Sequence, residues 1–185
     1  MKKILGLILL SCLFVGIGHA QKNNIQWTTI EAASQLKGNS KMYFVDFYTT
    51  WCGWCKRMDK DVFSDSTVIK LMSKYYVPVK FNAEGTAEFT WKGTKYIGTE
   101  VPRGAHPILH QFTKAMLGKR IGFPSFVIYD SSQSIIMLIE GYQTAEDLTM
   151  LLWYYASGDY HKFSYEKYKT IFEKDIRPIM TASLK

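Results

Sequence analysis

Tyr48-Thr49-Thr50-Trp51-Cys52-Gly53-Trp54-Cys55-Lys56 is the stretch whose reading decides the fold. Ahead of it, residues 42–47 form a nearly continuous apolar run interrupted only by Asp46, the pattern of a buried strand. Behind it, Met58, Val62 and Phe63 are spaced to share one helical face. The Cys-x-x-Cys pair is therefore expected where a central strand gives way to a helix. Unpaired backbone N–H groups and the helix dipole favour a thiolate there. The spacing also brings Cys55 to the same side of the first turn as Cys52, within reach of a disulfide.

The ends of the chain bound the problem. Lys2-Lys3, an apolar core over residues 4–17 and the small-residue site Gly18-His19-Ala20 have the layout of an export signal cleaved after residue 20. A competing reading, lipidation at Cys12, is opposed by the apolar residues Leu13, Phe14 and Val15 where a mature terminus should turn polar. The apolar part is short for a membrane span, so no stable membrane insertion is expected after cleavage. The expected location is the periplasm or the exterior. Without Lys2 and Lys3, 21 basic and 16 acidic residues leave a net charge of +5, down from +7. That charge is spread without a basic run, which argues against nucleic-acid binding. With 47% hydrophobic residues the chain has ample material for a packed core and does not read as disordered.

Of the three cysteines, Cys12 falls in the leader, and Cys52 and Cys55 remain. Two thiols do not make a four-ligand structural zinc site, so no metal or other cofactor is expected. A close pair in an oxidising compartment reads as a redox couple; the alternative, a structural disulfide closing so short a loop, would stabilise little. Disulfide exchange needs an attacking thiolate and a resolving thiol. Cys52, on the exposed side of the helix start, is assigned the attack. Cys55, one turn in and expected to be less exposed, is assigned the resolution. Asp46 stands out separately, because a carboxylate in an apolar strand costs several kcal/mol unless neutralised or paired. A hydrated strand-edge position for Asp46, with Lys80 snorkelling to water, is the competing account. Trp51 and Trp54 offer flat apolar surface beside the sulfurs, suited to docking an extended substrate.

Over residues 27–157 the sequence resembles the thioredoxin family. Trp51-Cys52-Gly53-x-Cys55-Lys56 matches the active-site pattern, Val45-Asp46-Phe47 precedes it as in that family, and Gly122-Phe123-Pro124-Ser125 matches its second signature. The segment Asp59-Lys60-Asp61-Val62-Phe63-Ser64-Asp65 is similar to secreted or periplasmic members and to the C-terminal domain of bacterial transmembrane disulfide reductases. The resemblance implies an α/β thioredoxin fold, a central mixed sheet flanked by helices. It implies a cis Pro124 against the disulfide, with the backbone at Phe123 pairing with an extended substrate. Together with Trp51, Gly53 and Trp54, these two residues form the expected substrate surface. It further implies that Asp46 assists proton transfer at the second cysteine and that Lys80 pairs with Asp46. Trp54 departs from the family, which usually has Pro or, in isomerases, His at that place. The direction of electron flow thus stays open between reductase, oxidase and isomerase, and a redox-regulated binding or assembly factor remains the reading of another class. Protein disulfides and a redox partner protein are the expected partners.

Along the chain, Thr28-Thr29-Ile30-Glu31 reads as a capping box for a helix through Leu36. Ser64-Asp65-Ser66 breaks or re-caps the helix that follows the cysteines, and residues 76–81 form a strand. Residues 84–105 read as an insertion before the proline-led strand, with a small hairpin at Lys92-Gly93, packed by its own aromatics. A partner-binding loop using Lys92, Lys95 and Arg103 is the alternative there. His106-Pro107 is expected to open a helix on which His106 and His110 have a solvated or capping role rather than binding metal. Residues 126–129 and 135–139 read as strands, and Thr144-Ala145-Glu146-Asp147 caps the next helix. Residues 21–159 are assigned to the domain and 160–185 to a C-terminal extension that carries no chemistry; its residues 160–174, polar and aromatic by turns, read as an appended helix.

Overall fold

The computed structural model describes residues 24–185 except 37, 103 and 120. Strand β1 (Met42–Tyr48) is its axis, with Tyr43 through Phe47 all buried. It pairs in parallel with β2 (Tyr76–Asn82) and antiparallel with β5 (Ser125–Tyr129), which pairs antiparallel with β6 (Ile135–Glu140). The order β2-β1-β5-β6 makes a mixed four-stranded sheet. β2 is the edge, so Pro78 is tolerated there despite its missing N–H. Thr28 docks on that edge, donating its N–H to the Pro78 carbonyl at 2.9 Å and accepting from Lys80 at 3.1 Å.

The two faces of the sheet bury separate apolar clusters, because side chains alternate along a strand. Phe44 points to the side where Phe126 and Ile128 meet α2 (Gly53–Asp61), α3 (Ser66–Tyr75) and α5 (Ala145–Ala156). Tyr43, Val45 and Phe47 point to the other side, with α1 (Ile30–Ser34), α4 (Gln111–Leu117) and the hairpin of β3 (Glu88–Trp91) and β4 (Thr94–Ile97). Asp46 has the parity of Phe44 and so falls on the α2 side. Side-chain caps fix where helices begin. Asp65 accepts from the N–H of Thr67 and Val68 at 2.8 and 3.0 Å, and Thr144 accepts from Asp147 at 3.1 Å.

Four expectations shift. The cap of α1 is Thr29, which accepts from Ala32, because Thr28 is engaged with β2; the helix ends at Ser34, not Leu36. α4 begins after His110 and not at His106-Pro107. The His110 N–H is taken by the Ala83 carbonyl at 2.8 Å, and the Thr113 hydroxyl donates to the same oxygen at 3.0 Å. His110 is buried, accepting from Phe112 through Nδ1 at 2.9 Å while Nε2 meets the Ala87 carbonyl at 2.8 Å. It is a cap, as expected, but His106 is not on its helix. Third, the hairpin at Lys92-Gly93 forms, with φ of 49° and 78° at those residues, the double positive φ of a tight hairpin turn. Its Phe89 and Trp91 are buried against Phe112, Tyr43 and Tyr129, so they belong to the sheet's core rather than packing only on each other. At its base the chains approach so closely that a Cβ on Gly98 would lie 2.2 Å from the Gly85 carbonyl oxygen. Fourth, the expected helix beyond residue 160 forms as α6 (Tyr165–Ile171) but continues through a π-helical turn (Phe172–Ile176) into α7 (Arg177–Ser183), and these bury Tyr168, Phe172 and Met180 in the α2-side core. The expected leader, Cys12 and Arg103 lie outside the described residues.

Candidate active site

β1 delivers the chain to the cysteines. Cys52 is the N-cap of α2, with φ −69° and ψ 107°, and its Sγ accepts from the Cys55 N–H at 3.0 Å. A sulfur thus takes the place of the usual capping oxygen, in contact with one of the helix's free donors. The two sulfurs stand at bonding distance, 2.12 Å. In this disulfide state exposure does not separate the pair, at 4% for Cys52 and 3% for Cys55, against the expectation that Cys55 is the less exposed. Of the two, Cys52 is the helix cap and Cys55 lies within the first turn.

The flanks of the pair are open. Trp51 is 64% and Trp54 54% exposed, and nothing lies within 4 Å of where a Gly53 Cβ would be. Each tryptophan is nevertheless braced. The Trp51 ring meets the edge of Phe123 at 6.3 Å, and its Nε1 donates to the Glu84 carboxylate at 3.0 Å. Trp54 lies 5.5 Å from Tyr142, and the Arg57 guanidinium sits 5.4 Å from one ring and 5.5 Å from the other. The Phe123–Pro124 peptide bond is cis. Ser125, the next residue, pairs with Phe47, which places this loop beside the end of β1 that leads to Cys52. The Pro124 carbonyl accepts from Gly141 at 2.9 Å.

Asp46 is buried rather than at a hydrated edge, and it is paired. Its Oδ2 receives Lys80 Nζ at 2.6 Å, as the strand register Asp46↔Lys80 requires. Its Oδ1 has no partner among the described residues. Burial pushes the Asp46 carboxyl up to about 6; the Lys80 charge opposes this without cancelling it. Burial also works against the Lys80 ammonium, but Asp46 and Asp59 outweigh it and hold that ammonium above its ordinary value. Lys80 also pairs with Asp59 on α2 and packs its Nζ 4.8 Å from the Trp27 ring.

Asp59, Glu84, Arg57 and Tyr142 were given no role from the sequence. The first two are acids in exposed or irregular surroundings, where acids are ordinary. Arg57 and Tyr142 are far apart in sequence, and no local pattern joins them. Among the described residues no group of three or more His, Cys, Asp or Glu side chains is placed to hold a metal.

A family model described as a thioredoxin-like domain matches residues 30–156. No curated protein matches the chain. Among solved structures, a thioredoxin-fold protein from Helicobacter pylori is 16% identical, covering 80% of this chain and 85% of its own, with a TM-score of 0.54. A thioredoxin from Thermus thermophilus is 18% identical, covering 76% and 98%, with a TM-score of 0.51. A putative disulphide-isomerase from Bacteroides thetaiotaomicron is 23% identical, covering 73% and 95%, with a TM-score of 0.49. At such identities the first two likenesses speak to the fold alone.

Proposed function

The chain belongs to the thioredoxin-like family, and from that premise we propose that it is an exported thiol–disulfide oxidoreductase that reduces protein disulfides. The observation that carries this reading is the Cys52 sulfur at the α2 cap, accepting the Cys55 N–H. The same contact serves a thiolate once the pair is reduced, and the thiolate is the attacking species.

In the proposed cycle the Cys52 thiolate attacks one sulfur of a substrate disulfide. The substrate S–S bond breaks, a Cys52–substrate bond forms, and the expelled thiolate takes up a proton. Cys55 then passes its proton to the Asp46 carboxylate and attacks Cys52 Sγ. The mixed disulfide breaks, and the second substrate sulfur leaves as a thiolate that is protonated in turn. The protein dithiol ends as a disulfide and the substrate as two thiols. A carboxyl held at about 6 exchanges protons readily near neutral pH. Lys80 is assigned the positioning of Asp46. Trp51, Gly53, Trp54, Phe123 and Pro124 are assigned the docking of an extended substrate segment next to Cys52. Among the described residues no helix is long and apolar enough to cross a membrane; the reading of export itself rests on the leader sequence.

Two measurements test this. In an insulin-reduction assay Cys52→Ser is expected to abolish turnover, while Cys55→Ser accumulates a mixed disulfide through Cys52. Trapping through Cys55 instead would reverse the assignment. The direction is read from equilibration with glutathione. Trp54 supplies no positive charge to the Cys52 thiolate, so the potential is expected near thioredoxin's, about −270 mV. A value above about −180 mV, in the isomerase range, would overturn the reductase reading, and Trp54→His should move the couple toward the oxidising side.

A further inference from the structure

Exposed tryptophans beside a redox pair explain general stickiness; they do not explain the guanidinium held against two adjoining rings. Arg57 lies one turn into α2, 58% exposed on its side chain, with its guanidinium resting against the adjoining rings of Trp54 and Tyr142. Gly53, Trp54 and Arg57 line one open depression next to the cysteines. Among the described residues the only partner of the guanidinium outside the rings is Asp61, which accepts from Nε at 3.2 Å. That exposed pair is a weak competitor, and it leaves the two terminal nitrogens and their donors unengaged. A planar guanidinium held against two rings, with its other side open to solvent, is a carboxylate receptor that loses little freedom on binding. The opposite flank carries Glu84, fixed by Trp51, so the two sides of the cysteine pair differ in charge.

We propose that Arg57 is a specificity residue that selects substrate segments bearing an acidic side chain close to the cysteine to be reduced. The proposal rests on the reductase reading above and adds a substrate class to it. The aromatic rings of Trp54 and Tyr142 pack along the substrate segment, and Arg57 pairs with its carboxylate at the rim of the depression.

The test uses the reduced protein in a single turnover against disulfide-linked pairs of a short peptide with one cysteine. The position beside the cysteine is Glu, Gln or Lys. Each rate is divided by that of the same peptide with dithiothreitol, which cancels the peptide's own chemistry. The Glu peptide is expected to react about threefold to fivefold faster than the Gln peptide, the range of an exposed ion pair, and the Lys peptide more slowly than both. Arg57→Gln should erase the difference between Glu and Gln. In the unaltered protein the preference should collapse in 1 M salt, where the screening length falls to about 3 Å. Equal normalised rates for the three peptides overturn the proposal, as does a preference that persists in Arg57→Gln or in high salt. If no peptide reacts, the reductase reading itself falls and the preference with it; equal but measurable rates remove the preference alone.

Discussion

At the scale of single residues, the decisive feature is a carboxylate whose burial outweighs its ion pair. Asp46 is raised from 3.8 to about 6, so between those values the folded protein holds a proton that the unfolded chain has released. Stability from this group therefore falls as pH rises through that window, by about 3 kcal/mol in total at about 1.4 kcal/mol per unit. Asp46→Asn is expected to raise the melting temperature at pH 7.5 and leave it nearly unchanged at pH 4. Lys80 is not orphaned by the change, because Asp59 still holds it and its side chain is 21% exposed. The same variant should slow the resolving step about 10²-fold, a typical loss of a general acid–base group. A loss of stability at pH 7.5 would show that the pair, not the burial, sets the balance. Asp46 was legible in the sequence because a charge in an apolar strand is conspicuous. Asp59 was not, because an acid on an exposed helix face gives no sign of the partner it reaches from across the fold.

At the scale of elements, the strands and most helix starts follow from local pattern, and the exceptions trace to tertiary hydrogen bonds. Thr28 and Thr29 are equivalent candidates for a cap; the bond of Thr28 to the Pro78 carbonyl leaves Thr29 to do it. His106-Pro107 has good chemistry for a helix start, but the Ala83 carbonyl draws the His110 N–H and the Thr113 hydroxyl and fixes the first turn later. His110 then joins three elements, through Phe112 in α4, the Ala87 carbonyl ahead of β3 and the Phe89 ring stacked at 5.5 Å. His110→Ala removes a cap and one of the two donors to the half-buried Ala87 carbonyl, which keeps the Gly98 N–H at 3.1 Å, together about 2 kcal/mol. His110→Asn, which keeps an acceptor for the Phe112 N–H, should recover about 1 kcal/mol of that. Denaturant midpoints measure both; an Ala variant as stable as the parent would mean that the hairpin holds to α4 by packing alone.

At the scale of the molecule, the family pattern ends near residue 156, yet the core does not. Tyr168, Phe172, Ile176 and Met180 recur every fourth residue and are at most 9% exposed. An α-helix has 3.6 residues per turn, so a strict spacing of four would drift around its surface. The π-helical turn at Phe172–Ile176 widens the repeat and keeps the stripe facing α5 and the α2-side core. That is why the segment looked merely polar and aromatic by turns in the sequence: the apolar period fits neither an ideal helix nor a strand. The Tyr154 hydroxyl further donates to the Phe163 carbonyl at 2.6 Å, tying α5 to the start of this segment. Fully burying one large apolar side chain is worth about 1.5–3 kcal/mol, and Phe172 and Met180 are essentially sealed. Their sum, about 3–6 kcal/mol, is a large part of the whole stability of an ordinary domain, about 5–15 kcal/mol. Deleting residues 160–185 is therefore expected to abolish cooperative unfolding, although every residue assigned to the redox chemistry remains. Phe172→Ala in the full chain, expected to cost about 3–5 kcal/mol, tests the same packing without truncation. A truncated protein melting cooperatively within a few degrees of the full chain would show that these helices only cover a core already complete without them.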